Sequence, residues 1–165
     1  MKKILIFGNS GSGKSTLAKK LCQTEALAHL DLDTLAWMPT IPPLRKPIIE
    51  SEKAILDFIR MHKNWVIEGC YSDLLTIALP SSTEIIFMNL PIKTCIENAK
   101  SRPWEPHKYQ SKEEQDNNLP MLIEWISQYA ERSDTFSQAS HEQLYQQYSG
   151  SKKMLTQNNC IFELL

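Results

Sequence analysis

The chain has 165 residues, 42% of them apolar and 22% charged, with 18 basic against 19 acidic side chains and a net charge of −1. That length suits one domain, residues 1–165, around one packed core, and the charge balance argues against a partner with a nucleic-acid backbone. Four scattered cysteines, no secretory leader and no apolar run near the ~20 residues of a bilayer span point to reduced thiols in a cytoplasmic protein, away from membranes.

In chain order, "KKILIFG" (2–8) is a continuous apolar run, as expected of a strand buried on both faces of a parallel sheet. It runs into "FGNSGSGKST", where Gly8, four residues, and Gly13-Lys14-Ser15 match G-x-x-x-x-G-K-[ST]. Three of the chain's five glycines, Gly8, Gly11 and Gly13, fall within these few positions. Such a loop lets successive amides, from Gly11 through Ser12 to Thr16, converge on an anion. The helix expected from Lys14 adds its positive end, Lys14 reaches the β- and γ-phosphates, and the Ser15 hydroxyl is placed for Mg²⁺. The loop is expected to hold a nucleoside triphosphate, ATP in the first instance.

"ALAHLDLD" (26–33) reads as a second strand ending in Asp31 and Asp33, at the carboxyl edge where open parallel sheets bind ligands. "PTIPPLRKP" (39–47) holds four of nine prolines and can be neither regular helix nor inner strand. A helix is predicted over 48–62 and a third strand over "NWVIEG" (64–69), which ends in Glu68 and Gly69. "TEIIFMNL" (83–90) is the fourth strand and ends in Asn89, where a Walker B strand would carry acids. A helix over 92–101 precedes a polar stretch without an apolar stripe, 101–118, of the kind that forms lids or disordered segments. Helices over 119–132 and 139–148, a base-contacting loop at "YSGSKK" (148–153) and a last strand at "NCIFEL" (159–164) complete the order. Strands alternating with helices imply an α/β fold with a parallel sheet.

Several nucleotide-binding classes lack their marks. There is no D-x-x-G, no N-K-x-D and no "LSGGQ"-like run, and 165 residues are short for a motor or AAA-type ATPase. With "LAHLDLDTLAW", "WVIEGCYS" and "MNLP" in place, residues 1–95 resemble the adenylate-kinase-like and shikimate-kinase-like group of small P-loop kinases. Within that group the segments are most similar to bacterial topology-modulation (FlaR-like) proteins. The departures are Glu68 for Asp, Cys70 for Asn and Asn89 for Asp. The resemblance implies a five-stranded parallel sheet in the order 2-3-1-4-5 between helices. It also implies an acceptor-binding segment near 34–63 and a lid near 101–132.

Phosphoryl transfer is mostly positioning and charge neutralisation. By position and resemblance, Lys14 and the loop amides hold phosphates, Ser15 holds Mg²⁺, and Asp33 orients an acceptor hydroxyl or holds a metal-bound water. Asp31 either shares that face or caps the next turn; Glu68 either faces the acceptor or caps the helix after Gly69. Gly69 permits close backbone approach, while Trp37, Tyr71 and Trp104 are pocket walls or core. His29, His62, His107 and His141 form no zinc spacing. Arg102, then Arg132, are the candidates for a lid cation, although residues 101–118 set one Arg and two Lys against three Glu and one Asp. Arg45 and Arg60 are what the acceptor segment offers to a monophosphate. Two aspartates nearby favour a hydroxyl, hence a small hydroxylated metabolite or nucleoside over a nucleoside monophosphate. The competing expectations are an ATP-binding regulatory or interaction protein with little catalysis, and simple ATP hydrolysis without an acceptor.

Overall fold

The computed structural model describes residues 1–159. Five strands, β1 (Lys3–Gly8), β2 (Ala28–Asp31), β3 (Trp65–Gly69), β4 (Glu84–Met88) and β5 (Ser151–Leu155), pair in parallel in the order β2-β3-β1-β4-β5. Period-two alternation divides β1 between two cores. Ile4 and Ile6 face α1 (Lys14–Glu25) and α5 (Ile92–Lys100), along with α6 (Lys112–Ser127), through Leu17, Leu21, Cys95 and Ile126. Leu5 and Phe7 face α3 (Ile48–Met61), α4 (Ser72–Ala78) and α7 (Gln138–Gln147), through Ile55, Leu74, Leu75 and Leu144. Helices on both faces are the reason the inner strands β1, β3 and β4 are built on apolar runs, residues 4–7, 65–67 and 85–88. The four-residue α2 (Asp33–Ala36) follows β2, and a 3-10 turn (Leu79–Ser81) follows α4. The sheet order is the expected 2-3-1-4-5. Among the described residues no helix is long and apolar enough to cross a membrane.

Three expectations need correction. The fifth strand is Ser151–Leu155, overlapping the stretch read as a base-contacting loop; the expected strand at 159–164 lies outside the described residues but for Asn159, which is not in a strand. β5 exposes four of its five residues and inserts Leu155 alone into the core, so it carries no apolar run. Its lysines bind outward, Lys153 to Glu84 at 2.7 Å and Lys152 to the carbonyls of Tyr145 and Tyr148. α6 begins at Lys112, inside the stretch read as loop, and ends at Ser127 rather than 132. Ser111 caps it by accepting the Glu114 amide at 3.1 Å, while the Glu114 carboxylate accepts the Gln110 amide at 2.7 Å. Pro120 therefore sits within the helix. The short α2 and α4 carry too little periodicity to be read in advance.

The proline-rich segment is, as expected, neither helix nor inner strand. It forms a closed loop, pinned by the Met38 amide to the Leu44 carbonyl and the Lys46 amide to the Ala36 carbonyl, both at 2.8 Å.

Candidate active site

The carboxyl ends of β1, β2 and β3 open into a cavity of about 710 Å³, roofed by a strap of residues 101–111 between α5 and α6. Its floor is the glycine loop. Gly13, the residue before α1, has φ 90° and Gly11 has φ 75°, both in the region that favours glycine. A Cβ on Gly11 would stand 2.3 Å from the Cys95 carbonyl oxygen, so the loop lies against α5 with no room for a side chain. Asn98 of α5 donates to the Gly11 carbonyl at 2.9 Å, and Asn9 donates to the Ile126 carbonyl of α6 at 3.1 Å. Lys14 folds its ammonium onto the Asn9 carbonyl at 2.8 Å. Gly11, Gly13, Lys14, Ser15 and Thr16 line the cavity. Gly8 packs on Met88, and Ser12 is fully buried with its hydroxyl unpartnered, so these two shape the loop from behind.

Because β3 is the neighbour of β1, Glu68 comes up beside the loop, opposite Ile6 on one side and Asp31 on the other. It is 1% exposed, and the Ser15 hydroxyl donates to its Oε1 at 2.6 Å. His29 Nε2 lies 3.4 Å from the same oxygen. Asn89 stands apart from this pair, its amide 3.8 Å from the Met154 sulfur. The carboxylate beside Ser15 therefore comes from β3, not from the end of β4. A serine hydroxyl touching a carboxylate offers hard oxygen donors, which suit Mg²⁺. Among the described residues no three or more His, Cys, Asp or Glu side chains gather as a metal cluster. An ion here would complete its shell with phosphate oxygens and water, the usual habit of Mg²⁺.

Asp33 opens α2 and faces the same cavity. Tyr71 donates its hydroxyl to Asp33 Oδ1, Trp37 Nε1 donates to that hydroxyl at 2.8 Å, and Lys108 of the strap lies 3.3 Å from Oδ2. Burial works to raise the Asp33 pKa, but Lys108, the Tyr71 hydroxyl and Lys14 outweigh it and hold the carboxyl below its ordinary value. Burial and the negative charge nearby push the Lys108 ammonium in opposite directions, and Asp33, Glu105 and Asp31 prevail, raising it. Asp31 is the cap, not a cavity wall: its Oδ1 accepts the Asp33 amide at 2.9 Å. Burial, then Glu68 and Asp33, raise its pKa to about 6.

Gly69 and Cys70 form the cavity wall behind Glu68. A Cβ on Gly69 would meet Leu32 at 2.9 Å. Burial pushes the Cys70 thiol up to about 12, which keeps it protonated and unreactive. Behind Cys70, His141 Nε2 donates to its carbonyl at 2.9 Å while the Tyr129 hydroxyl meets Nδ1 at 2.7 Å. Burial lowers His141 to about 4, so it is neutral and fixed in one tautomer.

The cations sort unevenly. Arg102 lines the cavity but is held by Glu105 at 3.1 Å; Trp104 lines it too, bonded to the Tyr109 carbonyl. Arg132 lies away from the cavity, stacked 3.4 Å from the Trp125 ring centroid and bonded to that residue's carbonyl. Arg45 pairs with Asp73 at 3.0 Å and spreads over the rings of Tyr71, Phe136 and Trp37, behind Asp33. Arg60 pairs with Asp57 along α3. Trp37 and Tyr71 buttress Asp33 without lining the cavity. Lys108, Lys19 and Asn98 line it and were not singled out from the sequence; a search for arginines passes over Lys108.

The sequence model of a family described as an AAA domain matches residues 4–118. Length therefore does not keep the chain out of that family, contrary to the expectation from 165 residues. Among solved structures, an unliganded sugar kinase from Janibacter sp. HTCC2649 superposes with a TM-score of 0.53 at 9% identity, covering 99% of this chain and 91% of that one. Shikimate kinase from Acinetobacter baumannii, in complex with shikimate, gives 0.52 at 12% identity, covering 99% and 90%. Deoxyadenosine kinase from M. mycoides with bound dATP gives 0.45 at 15% identity, covering 99% and 96%. For the sugar kinase and shikimate kinase, at these identities, the likeness is one of fold. A search of curated protein sequences returns no match.

Proposed function

We propose, for a chain that belongs to the AAA-domain family of P-loop proteins, Mg–ATP-dependent phosphoryl transfer to a small hydroxylated acceptor, a metabolite or a nucleoside. The observation that carries this reading is Asp33: a carboxylate held ionised at neutral pH that shares one cavity with Lys14 and Ser15. The acceptor hydroxyl donates to Asp33 and its oxygen bonds to the γ-phosphorus. The bond from that phosphorus to the bridging oxygen breaks, and its electron pair leaves with ADP. A carboxyl held below its ordinary pKa is a weak base, so Asp33 chiefly orients the hydroxyl, whose proton leaves late to phosphate or solvent. Lys14 and the loop amides hold the triphosphate. Ser15, with Glu68 behind it, would hold Mg²⁺, which neutralises charge on the β- and γ-oxygens.

A nucleoside monophosphate fits less well, because Arg45 and Arg60 are engaged by Asp73 and Asp57 rather than turned into the cavity. The reading treats residues 1–165 as one cytoplasmic kinase domain, with its acceptor segment at 34–63 and the strap as part of a lid over 101–132. The second reading, an ATP-binding regulatory protein, draws on Arg102, the one described arginine lining the cavity, being tied to Glu105.

ADP release from Mg–ATP across a panel of nucleosides, nucleoside monophosphates and small hydroxy acids separates them, with Lys14→Ala as control. Acceptor-dependent release that Lys14→Ala lowers at least ~100-fold supports the kinase. Tight ATP binding without acceptor-dependent release supports the regulatory protein.

A further inference from the structure

The strap is tied to itself and to α6. Glu105 donates its amide to Gln115 Oε1 at 2.8 Å, Gln115 donates to the Pro103 carbonyl at 3.1 Å, and Asn118 donates to the Tyr109 hydroxyl at 2.9 Å. From this frame Lys108 extends across the cavity to Asp33 Oδ2 at 3.3 Å, with Glu105 Oε1 at 4.0 Å on its near side. Asp33 is also within electrostatic reach of Lys14. The carboxylate assigned to the acceptor thus meets the strap lysine directly and feels the charge of the phosphate-loop lysine in the same cavity.

The Asp33 oxygen that meets Lys108 is one an acceptor hydroxyl can claim. Its other oxygen is already taken by Tyr71. Both partners of the ion pair are partly exposed, 27% for Lys108 and 43% for Asp33, so the pair gives the fold little. Lysine is also the cation suited to changing partners, a point charge with three donors on a flexible stem.

We propose that Lys108 is a catalytic residue that acceptor binding transfers from Asp33 to the phosphoryl group in flight. Without acceptor, Asp33 holds the ammonium away from the γ-phosphate, and attack by water goes unassisted. When a hydroxyl takes Asp33 Oδ2, Lys108 turns to the charge developing on the phosphoryl oxygens. The inference rests on the kinase reading, but its first test needs no acceptor. In that test water oxygen bonds to the γ-phosphorus, the same bridging bond breaks, and ADP and phosphate form.

Mg–ATP hydrolysis and ATP affinity are measured for the wild type, Asp33→Asn and Asp33→Asn/Lys108→Met. Asp33→Asn frees the ammonium, so hydrolysis rises about 10-fold at unchanged ATP affinity, and adding Lys108→Met removes the rise. Asp33→Ser removes the same charge and replaces the asparagine variant if that one does not fold. No rise on removing the Asp33 charge, or a rise that survives Lys108→Met, overturns the proposal. With an acceptor from the panel, Lys108→Met lowers kcat about 100-fold with little change in KM, and Lys108→Arg restores part of it. A loss confined to KM overturns the proposal equally. If no acceptor responds in the wild type, the kinase reading falls while the hydrolysis comparison still decides Lys108.

Discussion

The two sides of the cavity are held in place by different kinds of bond. On the phosphate side the backbone does the work: glycines at positive φ press the loop onto α5, the Asn98 amide binds the Gly11 carbonyl, and the loop's Asn9 amide binds the Ile126 carbonyl. On the side proposed for the acceptor, side chains do it: Asp33 is braced by Tyr71 and Trp37 from one direction and by Lys108 from the other. A backbone-built site is preorganised before its ligand arrives. A site built on an ion pair between partly exposed groups can be rearranged by its ligand, and the cost of doing so is small.

The sharpest way to break that contrast is on the rigid side. Gly11→Val places a Cβ 2.3 Å from the Cys95 carbonyl oxygen at φ 75°, and is expected to destabilise the fold by about 3 kcal/mol or more and abolish ATP binding. Chemical denaturation with nucleotide titration checks both. If Gly11→Val binds ATP normally, the loop is not preorganised in this way. Next in size is Glu68→Gln, expected to cut Mg-dependent turnover by about 10- to 100-fold. Metal-free ATP affinity should hardly change, as read by calorimetry with and without Mg²⁺; an equal loss of both would place Glu68 elsewhere in the mechanism.

A third prediction concerns the support behind Cys70. His141 has its pKa lowered to about 4, so below pH 6.5 the unfolded chain binds a proton that the native chain refuses. Its contribution, up to about 3 kcal/mol, is present above pH 6.5 and is lost as pH falls towards 4. Asp31, raised to about 6, acts in the opposite sense: between its ordinary value and 6 the native chain binds the extra proton, so its effect favours the fold as pH falls. The two offset each other in one window. His141→Phe should therefore give a protein whose urea midpoint, relative to its own value at pH 7, is higher at pH 5. A midpoint that still falls with acid would show that His141 is not the opposing group. The smallest effect is expected at Arg60→Ala, within about 0.5 kcal/mol of wild type and without change in turnover, since its partner Asp57 is a neighbour on the same exposed helix face. A fall in turnover there would bring Arg60 back to the acceptor.

The same contrast governs what the sequence discloses. The phosphate side is written in consecutive residues, strand, glycines, Lys14 and Ser15, so each requirement can be checked against its neighbour. Lys108 and Asp33 are far apart along the chain, and no local pattern announces that a strap will bring them together. Glu68 was legible as a strand-end acid, but its meeting with Ser15 depends on β3 lying beside β1, which only the topology supplies. Arg45 and Arg132 show the converse error. Their charge is plain in the sequence, yet aromatic rings and nearby acids hold them outside the cavity. β5 escaped because an edge strand with lysines outward lacks the apolar run that marks the others. The start of α6 did have a signal, Ser111 followed three residues later by Glu114.

Asn98 sits near the end of α5 and Ile126 near the end of α6, and through Asn98 and Asn9 both helices bind the glycine loop. The loop therefore hangs from the two posts between which the strap is strung. Thermodynamic linkage makes such an arrangement reciprocal: whatever factor nucleotide binding adds to closure of the strap, closure adds to nucleotide affinity. On the proposed kinase reading, nucleotide that seats the posts would prepare the cavity for an acceptor at Asp33, and a compulsory order would follow if the open strap leaves Asp33 to Lys108. Initial rates would then show an acceptor that cannot bind productively until ATP has entered.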